Sequence, residues 1–173
     1  MNKKTLNIIV TVEYILLALS FIANLYGFNS APGNLQYLCN LCAVIFALVY
    51  LVFGCKKEGS LFFKIFMWFL VFKEGYAITA IAVNEKVPAV AFVMVLICFA
   101  LSAILAVSLN LGKTRSFCFA GAHMLFSALC LIFSAFGGFS DVIIFNATRL
   151  LLSTVCAVLI YAKYADKAAR GAK

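Results

Sequence analysis

Along this chain, apolar runs long enough to cross a bilayer alternate with short polar breaks. A spanning helix needs about 20 apolar residues at ~1.5 Å rise each. Six stretches meet that length: residues 6–26, 35–53, 61–83, 88–109, 116–137 and 142–162. The breaks carry turn chemistry. Pro32 and Gly33 lie in the first, a Lys/Glu/Gly/Ser stretch at 56–60 forms the second, Pro88 stands at a first helical position, and Gly137 and Gly138 close the fifth run. The pattern predicts an all-α, polytopic integral membrane protein: one six-span transmembrane domain over residues 1–173, with no soluble domain.

Composition narrows the choice further. With 66% hydrophobic and 12% charged residues, the chain is solvated by lipid. No segment is left for a nucleotide fold, so chemistry or binding has to occur between helices or at a membrane surface. Basic residues then set the orientation. Lys3, Lys4, Lys56, Lys57, Lys113, Arg115, Lys163, Lys167, Arg170 and Lys173 fall on one side of a six-span arrangement, and Lys86 on the other. This predicts that both termini are cytoplasmic, in a plasma or inner membrane. The net charge of +8 expresses that asymmetry. It favours anionic lipid headgroups at the cytoplasmic face, and no basic stripe interleaves with exposed aromatics to suit nucleic acid. The first span reads as retained rather than as a cleaved leader, because it is long and Glu13 interrupts it.

Glu13, Lys73, Glu74 and Arg149 lie deep in their spans, where charge is expensive unless it is paired, lines a cavity or moves something. At ~1.5 Å per residue, Glu13 and His123 fall about 10 Å from the cytoplasmic end, and Lys73, Glu74 and Arg149 about 20 Å. Lys73 and Glu74 diverge by about 100° around one helix, so the expected partners are Glu13 with Lys73 and Glu74 with Arg149. Asp141 is a second option for Arg149. That set is charge-balanced. Polar stripes continue from it: Ser20 and Asn24 with Glu13, Ser127 with His123, Asn146 and Ser153 with Arg149, and Asn40 on span two. Such stripes serve equally as packing seams. Span four is almost bare of polar residues and is the expected lipid-facing helix.

Seven cysteines are present. Cys39 and Cys42 form a CxxC, the spacing of a quinone-linked membrane thiol oxidoreductase, but small apolar cysteines are common in buried helices. One histidine and no His/Cys cluster leave no metal site and no implied cofactor. No HExxH, aspartate-rich headgroup motif or nucleophile triad is present, so the chain reads as non-enzymatic. In span number and length it resembles the substrate-binding subunits of energy-coupling-factor vitamin transporters. The leading expectation is a small-solute or ion transporter, or its membrane-embedded binding subunit. Glu13, Lys73, Glu74, His123 and Arg149 would be its binding groups for a charged or zwitterionic solute. The alternatives are a structural subunit whose charges hold helices or a membrane partner in register, and the CxxC oxidoreductase.

Overall fold

The computed structural model describes residues 3–31, 34–53, 61–82, 88–110, 116–137 and 140–171. The described residues form six helices: α1 Lys3–Ser30, α2 Leu35–Phe53, α3 Leu61–Ala82, α4 Ala89–Asn110, α5 Ser116–Phe136 and α6 Ser140–Gly171. The loop cations Lys56, Lys57, Lys86, Lys113 and Arg115, with Cys55, Pro32, Gly33 and Gly138, lie outside the described residues, as does the side chain of Asp141.

Local chemistry sets the helix ends. The Asn34 side-chain oxygen accepts the Gln36 amide proton at 3.0 Å and so caps α2. Pro88, which needs no amide partner, accepts from Ala91 and Phe92 as α4 begins. Gly27 was expected to end the first span. Instead α1 runs on to Ser30, and Ala31 donates to the Gly27 carbonyl at 2.9 Å.

Consecutive helices pack as neighbours, and α6 returns to α1, closing a ring that α2 also braces against α6. Neighbours run antiparallel. On α1 and α2, Asn24 meets Asn40 while Gly27 meets Tyr37; on α5 and α6, Ser127 meets Ser153 while Cys130 meets Asn146. The bundle therefore has a terminal end, where Lys3 of α1 and Gly171 of α6 lie, and a far end.

Four helical stretches are long and apolar enough to cross a membrane: Thr5–Ser30, Ala89–Ser108, Cys118–Phe136 and Val142–Tyr161. Leu35–Leu51 is a shorter apolar helix, and α3 carries Lys64, Lys73 and Glu74 within its length. Exposed Ile, Leu, Val and Phe side chains occur on all six helices, which is compatible with an integral membrane protein. The helix with least burial is α1 rather than α4, at 11% against 28% of the spanning stretch. Ile8, Val12, Ile15, Leu19, Ile22 and Tyr26 stand outward along it. The polar stripe of α1 is turned inward, with Glu13 and Asn24 buried, and the outward positions between Val12 and Tyr26 are mostly large and apolar.

The buried core is not spread evenly along the bundle. Leu17, Val44, Ala47, Phe66, Leu70, Leu105, Leu152, Val155 and Ile160 pack together, and all belong to the terminal half. Toward the far end the inward positions are smaller, among them Ala77 on α3 and Ala91 on α4, and the bundle is hollow there.

Candidate functional site

Two buried polar clusters and one isolated carboxyl occupy the middle of the bundle. The charged cluster centres on Glu74, fully buried on α3. Its Oε1 takes Lys73 Nζ at 3.0 Å and its Oε2 takes Arg149 Nε at 2.8 Å. Lys73 is likewise fully buried, and Arg149 is 2% exposed. The expected Glu74–Arg149 pair is present, but Lys73 pairs with its own neighbour rather than with Glu13. The 100° divergence of adjacent residues holds at Cβ. The four-carbon lysine stem is long enough to bend back and cancel it.

Glu13 is separated from Lys73 by topology, since α1 and α3 do not pack against each other and α2 lies between them. The Glu13 carboxyl, 6% exposed, lies beside the Thr154 hydroxyl of α6, which donates to the Leu151 carbonyl at 2.7 Å, and its Oε2 has no partner. The four-charge balanced set of the sequence therefore becomes a three-charge cluster and a separate acid.

Arg149 is held from three sides. Beyond Glu74, its Nη1 donates to Asn146 Oδ1 one turn earlier on α6, and its guanidinium lies beside the Cys130 thiol of α5. Asn146 Nδ2 in turn donates to the Cys130 carbonyl at 3.3 Å. The Sγ atoms of Cys130 and Cys98 lie 3.8 Å apart.

His123 joins the cluster from α5. It lies close enough to Glu74, Arg149 and Lys73 to sense their charges. Its Nδ1 is 2.8 Å from Ser153 Oγ, which donates to the Arg149 carbonyl at 2.7 Å; Ser127 Oγ, 3.0 Å from Ser153, donates to the His123 carbonyl. With the Ser153 proton given to Arg149, its oxygen accepts the His123 Nδ1 proton. Nε2, fully buried, then has no partner.

The second cluster is neutral and joins α1, α2 and α6. Asn40 Nδ2 donates to Asn24 Oδ1 at 2.9 Å, Asn24 Nδ2 donates to Thr148 Oγ1 at 2.9 Å, and Ser20 Oγ lies 3.0 Å from Thr148 Oγ1. Thr148 gives its own proton to the Ile144 carbonyl. Ser20, Asn24 and Asn40, grouped by the sequence with the solute-binding residues, thus form a seam between helices. Thr148 and Thr154 are central to the two α1 contacts but lie off the stripe read along span six. Hydroxyls are too common in membrane helices for either to have been singled out.

Above Arg149, toward the far end, lies a crevice of about 320 Å³ lined by Gln36, Ala77, Ala80, Ala91, Met94, Val95, Phe133, Ser134, Val142, Phe145, Asn146 and Arg149, with Cys130 beside Arg149 and with Asn34 and Pro88 at the far end of the bundle. That size is at the small end of ligand pockets, about 300–1,000 Å³. The wall is mostly apolar, with its polar groups at two levels. Arg149 and Asn146 form the floor, and Gln36 near the mouth is buried with no partner for Oε1.

Cys39 and Cys42 are free, half-buried thiols on α2. No group of three or more His, Cys, Asp or Glu side chains suited to a metal occurs among the described residues. No family model, curated protein or solved structure matches this chain.

Proposed function

We propose that the chain is a six-span membrane protein that binds a small solute between its helices, acting as a transporter or as the membrane-embedded binding subunit of one. On this reading all six helices cross a plasma or inner membrane with both termini cytoplasmic, so the far end faces outward. The supporting observation is the crevice. It descends from the outward end, ends on Arg149 and Asn146 halfway through the bundle, and is closed below by the apolar core. A polar floor at the midplane beneath an apolar shaft is the position at which carriers hold cargo. The packed half beneath it would be the barrier that opens in the opposite state.

Glu74 also favours a second reading. By joining Lys73 on its own helix to Arg149 on α6, it ties helices that share no backbone contact, as the charges of a structural subunit would. Thiol labelling separates the two readings. In a cysteine-free background, Ala80→Cys and Ala91→Cys should react with a membrane-impermeant maleimide applied to intact cells, and Ala120→Cys and Val155→Cys should not. Native mass spectrometry of the purified protein should further show a small-molecule adduct that Arg149→Met loses. Protection of Ala91→Cys together with absence of any adduct leaves the structural reading standing. Protection of all four positions in intact cells, with labelling of Ala80→Cys and Ala91→Cys once the membrane is opened, would instead reverse the orientation.

A further inference from the structure

With each side chain at its ordinary charge, the cluster is one negative charge short. Lys73 and Arg149 share the single carboxylate of Glu74, all three at or near zero exposure. The groups facing them from the neighbouring helices are the thiols of Cys98 and Cys130 and the imidazole of His123, and protonating the imidazole only enlarges the surplus. Glu13, the one other buried acid among the described residues, lies beside Thr154 and not in this cluster. An uncompensated charge at this depth is costly. The cation on the cluster's accessible side is Arg149, which forms the crevice floor. Of its five N–H donors, Glu74 and Asn146 account for two.

From this surplus we infer that the crevice takes a small monoanion with an apolar body, such as a monocarboxylate, its charged group on Arg149 and Asn146 and its body against Met94, Val95, Phe133 and Phe145. Bound this way, the ligand makes the cluster neutral, two cations against two anions. Arg149 and Asn146 contact the ligand. Lys73 does not line the crevice and acts as a positioning residue, supplying the surplus from behind Glu74. The inference rests on the solute-binding reading and adds the sign of the charge. The apolar wall argues against a multiply charged solute, which would leave its other charges in an apolar shaft.

The test is thermal unfolding of the purified full chain in phosphatidylcholine nanodiscs, titrated with octanoate and benzoate and with their neutral amides, octanamide and benzamide. Both carboxylates should stabilise the wild type, with half-saturation at least tenfold lower than for the matching amide. Lys73→Met, which leaves a balanced Glu74–Arg149 pair, should bring that preference below threefold while still binding both forms. Ala91→Phe, which fills the crevice without touching a charge, should abolish both responses. Amides that match carboxylates in the wild type, with both lost in Ala91→Phe, would overturn the anion assignment and keep the binding site. A carboxylate preference undiminished in Lys73→Met would also overturn the charge argument. No response to any probe would overturn both the site and its sign. Repeating the titration in discs containing phosphatidylglycerol separates a free solute from a lipid headgroup, the other source of one negative charge. Equal carboxylate affinity in the two discs is expected, and a tenfold loss in the anionic discs would assign the crevice to lipid.

Discussion

Thr148 and Arg149 are neighbours in sequence, about 100° apart around α6, and they open onto two different kinds of polar interior. On the Thr148 side, hydrogen bonds join four uncharged residues from three helices, and Asn40 Oδ1 is the one buried acceptor left over. On the Arg149 side, two cations share one carboxylate and border a crevice. The first arrangement carries no charge and lines no part of the crevice; the second is charged and lines it. Burial and polarity are alike in the two, so neither property tells them apart; charge and adjoining open space do.

The largest effect should come from removing the one group both cations share. Glu74→Gln leaves Lys73 and Arg149 facing each other without an anion and should cost on the order of 3–5 kcal/mol, read as loss of folded protein in a denaturant or thermal titration. A loss below about 1 kcal/mol would show that the cluster is neutral by other means. Next is the seam. Asn24→Ala strands Asn40 and takes away a donor to Thr148, for roughly 1–3 kcal/mol, and should leave octanoate binding within twofold of wild type. Altered ligand affinity in this variant would mean that the two regions are not independent.

Lys73→Met should be mild, within about 1 kcal/mol of wild type without ligand, because it leaves one cation for one carboxylate. The contrast with Glu74→Gln is the sharpest reading of the comparison, and equal losses would dissolve it. The smallest effect is expected at Glu13. Glu13→Gln keeps the shape and the Thr154 contact, and its stability change should add to that of Lys73→Met within about 0.5 kcal/mol, as for separate sites. A double-mutant cycle with larger coupling would restore the Glu13–Lys73 pair expected from the sequence.

The sequence made the helices legible because a run of about 20 apolar residues has few other uses, and it made the charged positions conspicuous because their surroundings are so apolar. Pairing was less accessible. The match of Glu13 with Lys73 rests on opposite charge and on a lysine's reach from one layer toward the other, but neither says which helices are neighbours, and α2 stands between them. Lys73 and Glu74 were separated by a rule about Cβ directions that a flexible side chain escapes. The crevice was invisible for a different reason. Ala77, Ala80 and Ala91 make room for it, yet alanine in a membrane helix equally signals close helix packing, and only the arrangement of all the helices decides which.

The ring of helices is closed by the last one to be synthesised, and that order has a consequence for how the chain comes into being. Asn24 is made 124 residues before Thr148. At roughly 5–20 residues per second, its final partner is about 6–25 s away. Glu74 is made 75 residues before Arg149 and waits too. Each has a provisional partner in the meantime, Asn40 on the following helix for Asn24 and Lys73 on the same helix for Glu74. Glu74 therefore has Lys73 as its match from the time α3 forms, and the second cation joins only when α6 arrives, at the moment the crevice acquires its floor.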